Sequence, residues 1–164
     1  MTGPGAHNPA NFSQWTLPET VQTTDVTVHA TSICFDESAA LFIGPSGSGK
    51  SSLALQMIGL GAQLISDDQT MLQLTAEGEI RLSPPDSIKG MIEARGIGLL
   101  RADHVKGCKL RLVVNLAEVE TDRLPERRHV PVLGNLVRYT HKTESPAFAA
   151  ALLQYLKAGE VHDR

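Results

Sequence analysis

The chain has 164 residues, 41% apolar and 20% charged, with a formal net charge of −3 at pH 7. That length accommodates one domain with a core large enough to need neither a disulfide nor a structural metal. The composition excludes a disordered or collagen-like chain, the charge argues against nucleic acid as a partner, and no run approaches the ~20 apolar residues that cross a bilayer, so no membrane partner is expected.

Residues 1–25 mix Gly, Pro, Asn and Thr without a period and are expected as a flexible N-terminal arm, with a single domain over 26–160. Residues 26–35 alternate and are rich in Val, Thr and Ile, which predicts one strand. Asp36 and Glu37 form a turn, and the apolar run 39–43 predicts a buried strand. A glycine-rich loop follows, then a helix from Lys50 to Leu60 with Leu53, Ala54, Met57 and Ile58 on one face and Gly59 and Gly61 at its end. Residues 62–66 return as a strand. Residues 70–75 and 79–82 read as a hairpin across Glu77 and Gly78, and Pro84 and Pro85 break the chain. Residues 86–106 are ambiguous, and Gly96 and Gly98 there imply unusual backbone. A strand is expected over 110–116, a charged loop over 118–128, and short strands over 129–133 and 136–140 about a Gly134-Asn135 turn. The last helix is punctuated by Ser145 as N-cap, Pro146 in its first turn and Gly159 past its end, with Phe148, Leu152, Tyr155 and Leu156 as its apolar stripe. The class is α/β, a P-loop-containing mixed sheet with flanking helices.

Residues 1–15 lack both a basic start and an apolar core, so no secretory signal is read. Cys34 and Cys108 lie 74 positions apart and form no CxxC pair, which argues against a cysteine zinc site and for a reducing, cytoplasmic compartment. Charge is unevenly spread. Residues 1–80 carry one cation, Lys50, against eight carboxylates, whereas 81–142 carry twelve Lys and Arg against seven Asp and Glu.

That single early cation lies in Gly44-Pro45-Ser46-Gly47-Ser48-Gly49-Lys50-Ser51, which matches GxxxxGK[ST] at every fixed position. The setting matches too: a buried strand before it and an amphipathic helix after it. Backbone N–H groups of such a loop wrap phosphate, the helix N-terminus adds positive potential, the lysine reaches the β- and γ-phosphates, and the serine hydroxyl ligates Mg²⁺. An ordinary P-loop ATPase also carries an acid at the end of a downstream apolar strand. Here the strand at 110–116 has Asn115 near its end, and Glu118 lies in the loop beyond. Asp67 and Asp68 instead end the strand directly after the P-loop helix. A parallel strand next to the P-loop strand would bring them to the phosphates as metal ligand and general base.

Other candidates are weaker singly. His29, 15 residues before Gly44, is by default a structural strand histidine, but beside Asp68 it would orient that carboxylate or share its proton. Glu93, Arg95, Gly96 and Gly98 suit a loop that approaches a ligand closely, or else a surface turn with an internal ion pair. Arg123 is a surface arginine by default and a stabiliser of transferred phosphate if it reaches the site.

Taken as a set, these motifs resemble the catalytic domain of the HPr(Ser) kinase/phosphorylase family. The set comprises Val28-His29, the P-loop, Leu64 to Asp68, the segment from Glu93 through Arg95, Gly96 and Gly98 to Ala102, the strand 112–116, and Asp122-Arg123-Leu124. The resemblance spans about residues 26–157. It implies a phosphoenolpyruvate-carboxykinase-like fold and a cytoplasmic enzyme that phosphorylates a serine of HPr or an HPr-like phosphocarrier of the phosphotransferase system, using ATP and Mg²⁺. Many members also run the reverse phosphorolysis with inorganic phosphate. Carried over, Asp68 resembles the base for phosphorylation; His29, Lys50 and Arg123 resemble other catalytic residues; Ser51 and Glu93 resemble the Mg²⁺ ligands; and Asp67 is a local support. An enclosed Asp68 would pass a proton in either direction. The resemblance further implies a homo-oligomer, hexameric in the family. Members usually carry a separate N-terminal domain, and the chain reads as a short form holding the catalytic domain only. The Pro-Gly-Arg-Asn-like loop linked to dephosphorylation in the family has no counterpart in residues 140–145. Two other readings stay open: a P-loop kinase of a small metabolite, and a non-catalytic ATP-binding regulatory module.

Overall fold

β-Rich apolar segments separated by tight turns make up most of the chain. The computed structural model, which describes residues 16–21 and 23–161, assembles them into a nine-stranded mixed sheet, a separate two-stranded hairpin and two helices. In chain order these are β1 (Asp25–Val28), β2 (Thr31–Phe35), β3 (Ser38–Ile43), α1 (Lys50–Gly59), β4 (Gln63–Ser66), β5 (Thr70–Leu74), β6 (Ile80–Ser83), a 3-10 turn (Asp86–Ile88), β7 (Met91–Ala94), β8 (Gly98–Arg101), β9 (Cys108–Val119), β10 (Arg128–Val132), β11 (Asn135–Lys142) and α2 (Phe148–Ala158). The sheet runs β1-β5-β6-β9-β3-β2-β4. β11 takes the rest of the β9 edge that β6 begins, and β10 pairs with β11. Only β3–β9 and β9–β11 are parallel.

The P-loop strand β3 lies inside the sheet and buries both faces, hence its continuous apolar run. Ala40 and Phe42 face Leu53, Ala54 and Met57 of α1 and Leu152 and Leu156 of α2. Ala39, Leu41 and Ile43 face the opposite way, onto Leu72, Leu82 and Val132 from the sheet's own flanking strands and Leu133 just past β10. Two helices therefore suffice to close the core. The ambiguous stretch 86–106 contains the β7–β8 hairpin, whose Ile92 joins the cluster around α1.

Several elements differ from expectation. The strand read over 26–35 is two strands, because the chain changes neighbours at His29 and Ala30: β1 pairs with β5, while β2 pairs with β3 and β4. His29 thus sits at a bend. β4 is not beside β3, since antiparallel β2 is inserted between them. The β10–β11 turn is Leu133-Gly134, one residue earlier than Gly134-Asn135. Both residues have positive φ, 46° and 80°, which matches strand twist in a two-residue loop. Leu133 accepts the strained φ while only 2% exposed, its side chain packed in the core. β9 extends to Val119, so Glu118 is within the strand. Regular helix α2 begins at Phe148, but Ser145 still caps the preceding turn, its Oγ accepting the Ala147 N–H at 3.0 Å.

The described part of the arm is docked. Leu17 is buried in the core, and the Pro18 and Glu19 carbonyls accept the N–H groups of Leu133 and Gly134 at 2.7 and 2.9 Å. Residues 1–15 lie outside the described residues.

The cysteines also depart from the sequence reading. Cys34 at the end of β2 and Cys108 at the start of β9 are joined in a disulfide, both nearly fully buried. The turn at Asp36-Glu37 joins β2 to β3, and the pairing of β3 with β9, from Ser38 opposite Lys109, brings Cys108 to Cys34, which spacing alone did not reveal. The bond closes a loop across a separation of 74 residues. Reduction should therefore lower unfolding stability by ~2–4 kcal/mol. Urea unfolding with and without a thiol reductant measures this; superimposable curves would refute it.

Candidate active site

β3 delivers the chain into the P-loop at Gly44. The loop closes so tightly there that a Cβ on Gly44 would lie 2.8 Å from Ser48 Oγ, and Gly47 and Gly49 adopt φ of 85° and 100°. The loop ends at the N-terminus of α1, whose first two residues are Lys50 and Ser51. Lys50 is buried and folded back, with Nζ donating to the carbonyls of Gly44 at 2.8 Å and Pro45 at 3.1 Å. Burial pushes its pKa below the usual lysine value, and the carboxylates of Asp68 and Asp67 oppose that shift.

Asp67 ties three elements together. It is 9% exposed. Its Oδ1 accepts the hydroxyls of Ser51 at 2.6 Å and Thr31 at 3.0 Å, and its Oδ2 accepts the Glu93 N–H at 3.0 Å. One carboxylate thus fixes β2, α1 and β7 around the loop. Thr31 Oγ1 in turn accepts the Asp68 N–H at 3.1 Å. Thr31 escaped sequence reasoning, because a threonine in a strand carries no local sign of such a contact.

Asp68 has a left-handed backbone, φ 72°, which an aspartate tolerates and which turns its side chain out of the core. That side chain lies 3.5 Å from His29 Nδ1 and is 65% exposed. The expectation of an enclosed carboxyl is therefore not met: the chain turns outward at the end of β4, leaving Asp68 at the mouth of an open cleft.

This cleft, of about 90 Å³, joins most of the candidates. Ser46, Gly47, Gly49, Lys50 and Ser51 line it from the loop, Thr31 and Asp68 from the strand ends, and Glu93 and Arg95 from the hairpin. Glu93 lines it from β7 and Arg95 from the turn that follows that strand. Gly96 in the turn and Gly98 at the start of β8, with φ of 84° and 139°, let the chain reverse there.

Arg123 is placed elsewhere. It is exposed in the loop after β9 and lines a separate cavity with Arg138, Thr140 and Tyr155. Its loop is drawn to that side by Glu120, whose carboxylate holds Arg128 at 2.6 Å and accepts the N–H groups of Thr121 and Asp122. At the usual acid position Asn115 lies in register with Ile43, just before the P-loop. Its amide is engaged with the Tyr139 hydroxyl at 2.7 Å and the Ala117 N–H at 2.9 Å. The acids near the loop are instead Asp67 and Asp68, just past the end of β4, and Glu93 of β7.

Residues 21–133 match the family model of the HPr serine kinase C-terminal domain. The chain belongs to that family. Every residue of the cleft falls inside the matched stretch. Among curated members, the HPr kinase/phosphorylase of Bordetella pertussis is 36% identical over 110 residues, covering 60% of this chain and 36% of that protein. The HPr kinase/phosphorylase of Caldanaerobacter subterraneus subsp. tengcongensis is 30% identical over 109 residues, covering 62% and 36%. The match thus spans about a third of the length of these relatives. The fold of this HPr kinase C-terminal domain is similar to that of the solved Hpr(Ser) kinase/phosphatase from Coxiella burnetii, with a TM-score of 0.65, 23% identity, and coverage of 80% of this chain and 88% of that one.

Proposed function

We propose that this domain transfers the γ-phosphoryl group of ATP to a serine hydroxyl of HPr or an HPr-like phosphocarrier. The observation that carries the reading is one cleft in which the P-loop lysine and serine face Asp68 and Glu93, in a chain of the HPr kinase C-terminal family.

The chemistry follows from the geometry. Backbone N–H groups of the loop and the α1 N-terminus hold the polyphosphate. Lys50 leaves the Gly44 and Pro45 carbonyls to contact it, a release its raised cost of burial favours. Asp68 accepts the proton of the serine hydroxyl as that oxygen attacks the γ-phosphorus and the bond to ADP breaks. His29 orients the Asp68 carboxylate. Arg95 is the second cation lining the cleft and faces the charge of the transferred group.

The oxygen donors Ser51, Glu93 and Asp67 suit Mg²⁺, which usually takes one or two protein ligands and completes its shell with water and substrate phosphates. Among the described residues no cluster of three or more His, Cys, Asp or Glu could hold a metal alone. Ser51 and Glu93 would ligate the ion, with Asp67 holding the Ser51 hydroxyl in place. The ion would neutralise charge on the phosphates.

The reading carries with it the family's homo-oligomeric assembly, of the hexameric kind, and a cytoplasmic location. Cys34 and Cys108 are joined in a disulfide and so lend that location no support; no helix among the described residues is long and apolar enough to cross a membrane.

Incubation with γ-labelled ATP, Mg²⁺ and an HPr-like carrier tests the proposal. Acid-stable label on a carrier serine is the expected result. Label on a small molecule, or nucleotide binding without transfer, would overturn it. Adding inorganic phosphate to the labelled carrier reads the reverse direction, through release of labelled pyrophosphate.

A further inference from the structure

Arg123, which the phosphate cleft leaves out, lines a cavity between α2, the strands β9 and β11, and the loop after β9. The cavity measures about 410 Å³, within the ~300–1,000 Å³ of small-molecule sites. It shares no lining residue with the phosphate cleft. The phosphoryl transfer proposed above gives it no role.

Its wall is apolar. Leu112 and Leu152 are buried there, and the rings of Phe148 and Tyr155 are half-buried. Its rim is charged, and most of that charge is matched within the protein: Glu120 holds Arg128 at 2.6 Å, and Arg138 is held by Glu160 at 2.6 Å. Asp122 and Arg123 differ. Among the described residues neither side chain makes a hydrogen bond or an ion pair; Asp122 is engaged only through its backbone N–H, with Glu120. One carboxylate and one guanidinium, on consecutive exposed residues, therefore border an apolar hollow. The larger cavity at Lys89, Arg101 and His104, about 750 Å³, has charged residues as well but no buried residue in its wall.

We propose that this cavity binds a free α-amino acid with a large apolar side chain. Such a molecule carries a carboxylate and an ammonium on one carbon, and the rim offers one partner for each. Arg123 takes the carboxylate, whose two oxygens match the guanidinium fork. Asp122 takes the ammonium. The side chain packs against Leu112, Phe148, Leu152 and Tyr155, and its removal from water adds affinity. A simple anion would face the Asp122 carboxylate without a counter-charge, and a simple cation would face Arg123 in the same way, so the zwitterion fits better than either. The site stands whether or not the phosphoryl-transfer reading does.

Calorimetric titration of the full chain tests this with L-phenylalanine and with probes that each lack one part of it: glycine the apolar side chain, 3-phenylpropanoate the ammonium, and 2-phenylethylamine the carboxylate. L-Phenylalanine should saturate the protein with a Kd at or below ~1 mM, and each of the other probes should bind about tenfold more weakly. Arg123→Gln should weaken L-phenylalanine about tenfold without weakening 2-phenylethylamine, and Asp122→Asn should weaken it without weakening 3-phenylpropanoate. Ala151→Trp fills the cavity from an exposed position on α2 and should abolish binding of L-phenylalanine. A wild-type thermal unfolding midpoint in each variant separates lost binding from lost fold. Absence of saturation by L-phenylalanine, glycine bound as tightly, or wild-type affinity in Ala151→Trp would overturn the site. So would a charge variant that weakens both of its paired probes alike.

Discussion

Replacing Asp68 by Asn should slow phosphoryl transfer to the carrier by ~10²–10⁴-fold, the usual worth of a positioned general base. ATP affinity should stay within a few-fold of wild type. The substitution is mild for the fold. Asparagine tolerates the left-handed φ of 72° as well as aspartate does, and the side chain is 65% exposed. Its backbone contact, the N–H to Thr31 Oγ1, does not depend on the side chain. What changes is the ability to take a proton from an attacking hydroxyl. The rate of label transfer under saturating ATP measures this, with ATP binding measured alongside. A variant that transfers at the wild-type rate would remove Asp68 from the mechanism and reduce the cleft to a nucleotide holder.

Asp67 is expected to behave in the opposite manner, through structure first. In Asp67→Ala three donors lose their acceptor: the hydroxyls of Ser51 and Thr31 and the N–H of Glu93. A buried donor left unsatisfied costs ~1–3 kcal/mol, and water entering the gap from the cleft relieves part of it, so a loss of about 3 kcal/mol is expected. Asp67→Asn keeps the shape and two acceptor lone pairs, and should lose less stability. It also removes the negative charge beside Ser51, so Mg²⁺ should enhance its ATP binding less than it does in wild type. Urea unfolding midpoints and ATP binding with and without Mg²⁺ read the two effects separately. A wild-type midpoint in Asp67→Ala would show that β2, α1 and β7 are held together by other means. On the proposed mechanism the adjacent aspartates would divide into one that takes the proton and one that holds the frame, because the backbone turns left-handed at Asp68.

Much of this was legible locally. The P-loop is a contiguous pattern whose meaning depends on its own glycines and on the elements directly flanking it, and the structure has strand, loop and helix in that order. The hairpin at 70–82 and the turns marked by Asp36, Gly78 and Gly159 depend on backbone preferences of a few residues, and they form where those residues stand. The glycines at 96 and 98 signalled unusual backbone before any partner was known. Even the displaced turn at Leu133-Gly134 is off by one residue only, because core burial of Leu133 outweighs the preference of Asn135 for a turn.

By itself the sequence determined the phosphate loop, the acid pair one helix later and the family, each carried by neighbours along the chain. The tertiary structure alone decided that β2 enters between β3 and β4, that Thr31 and Glu93 converge on Asp67, that Cys34 meets Cys108, and that Arg123 faces a different cavity from the loop. Strand pairing and side-chain convergence join residues tens of positions apart. Those choices depend on the packing energy of the whole sheet, which no local window of residues contains.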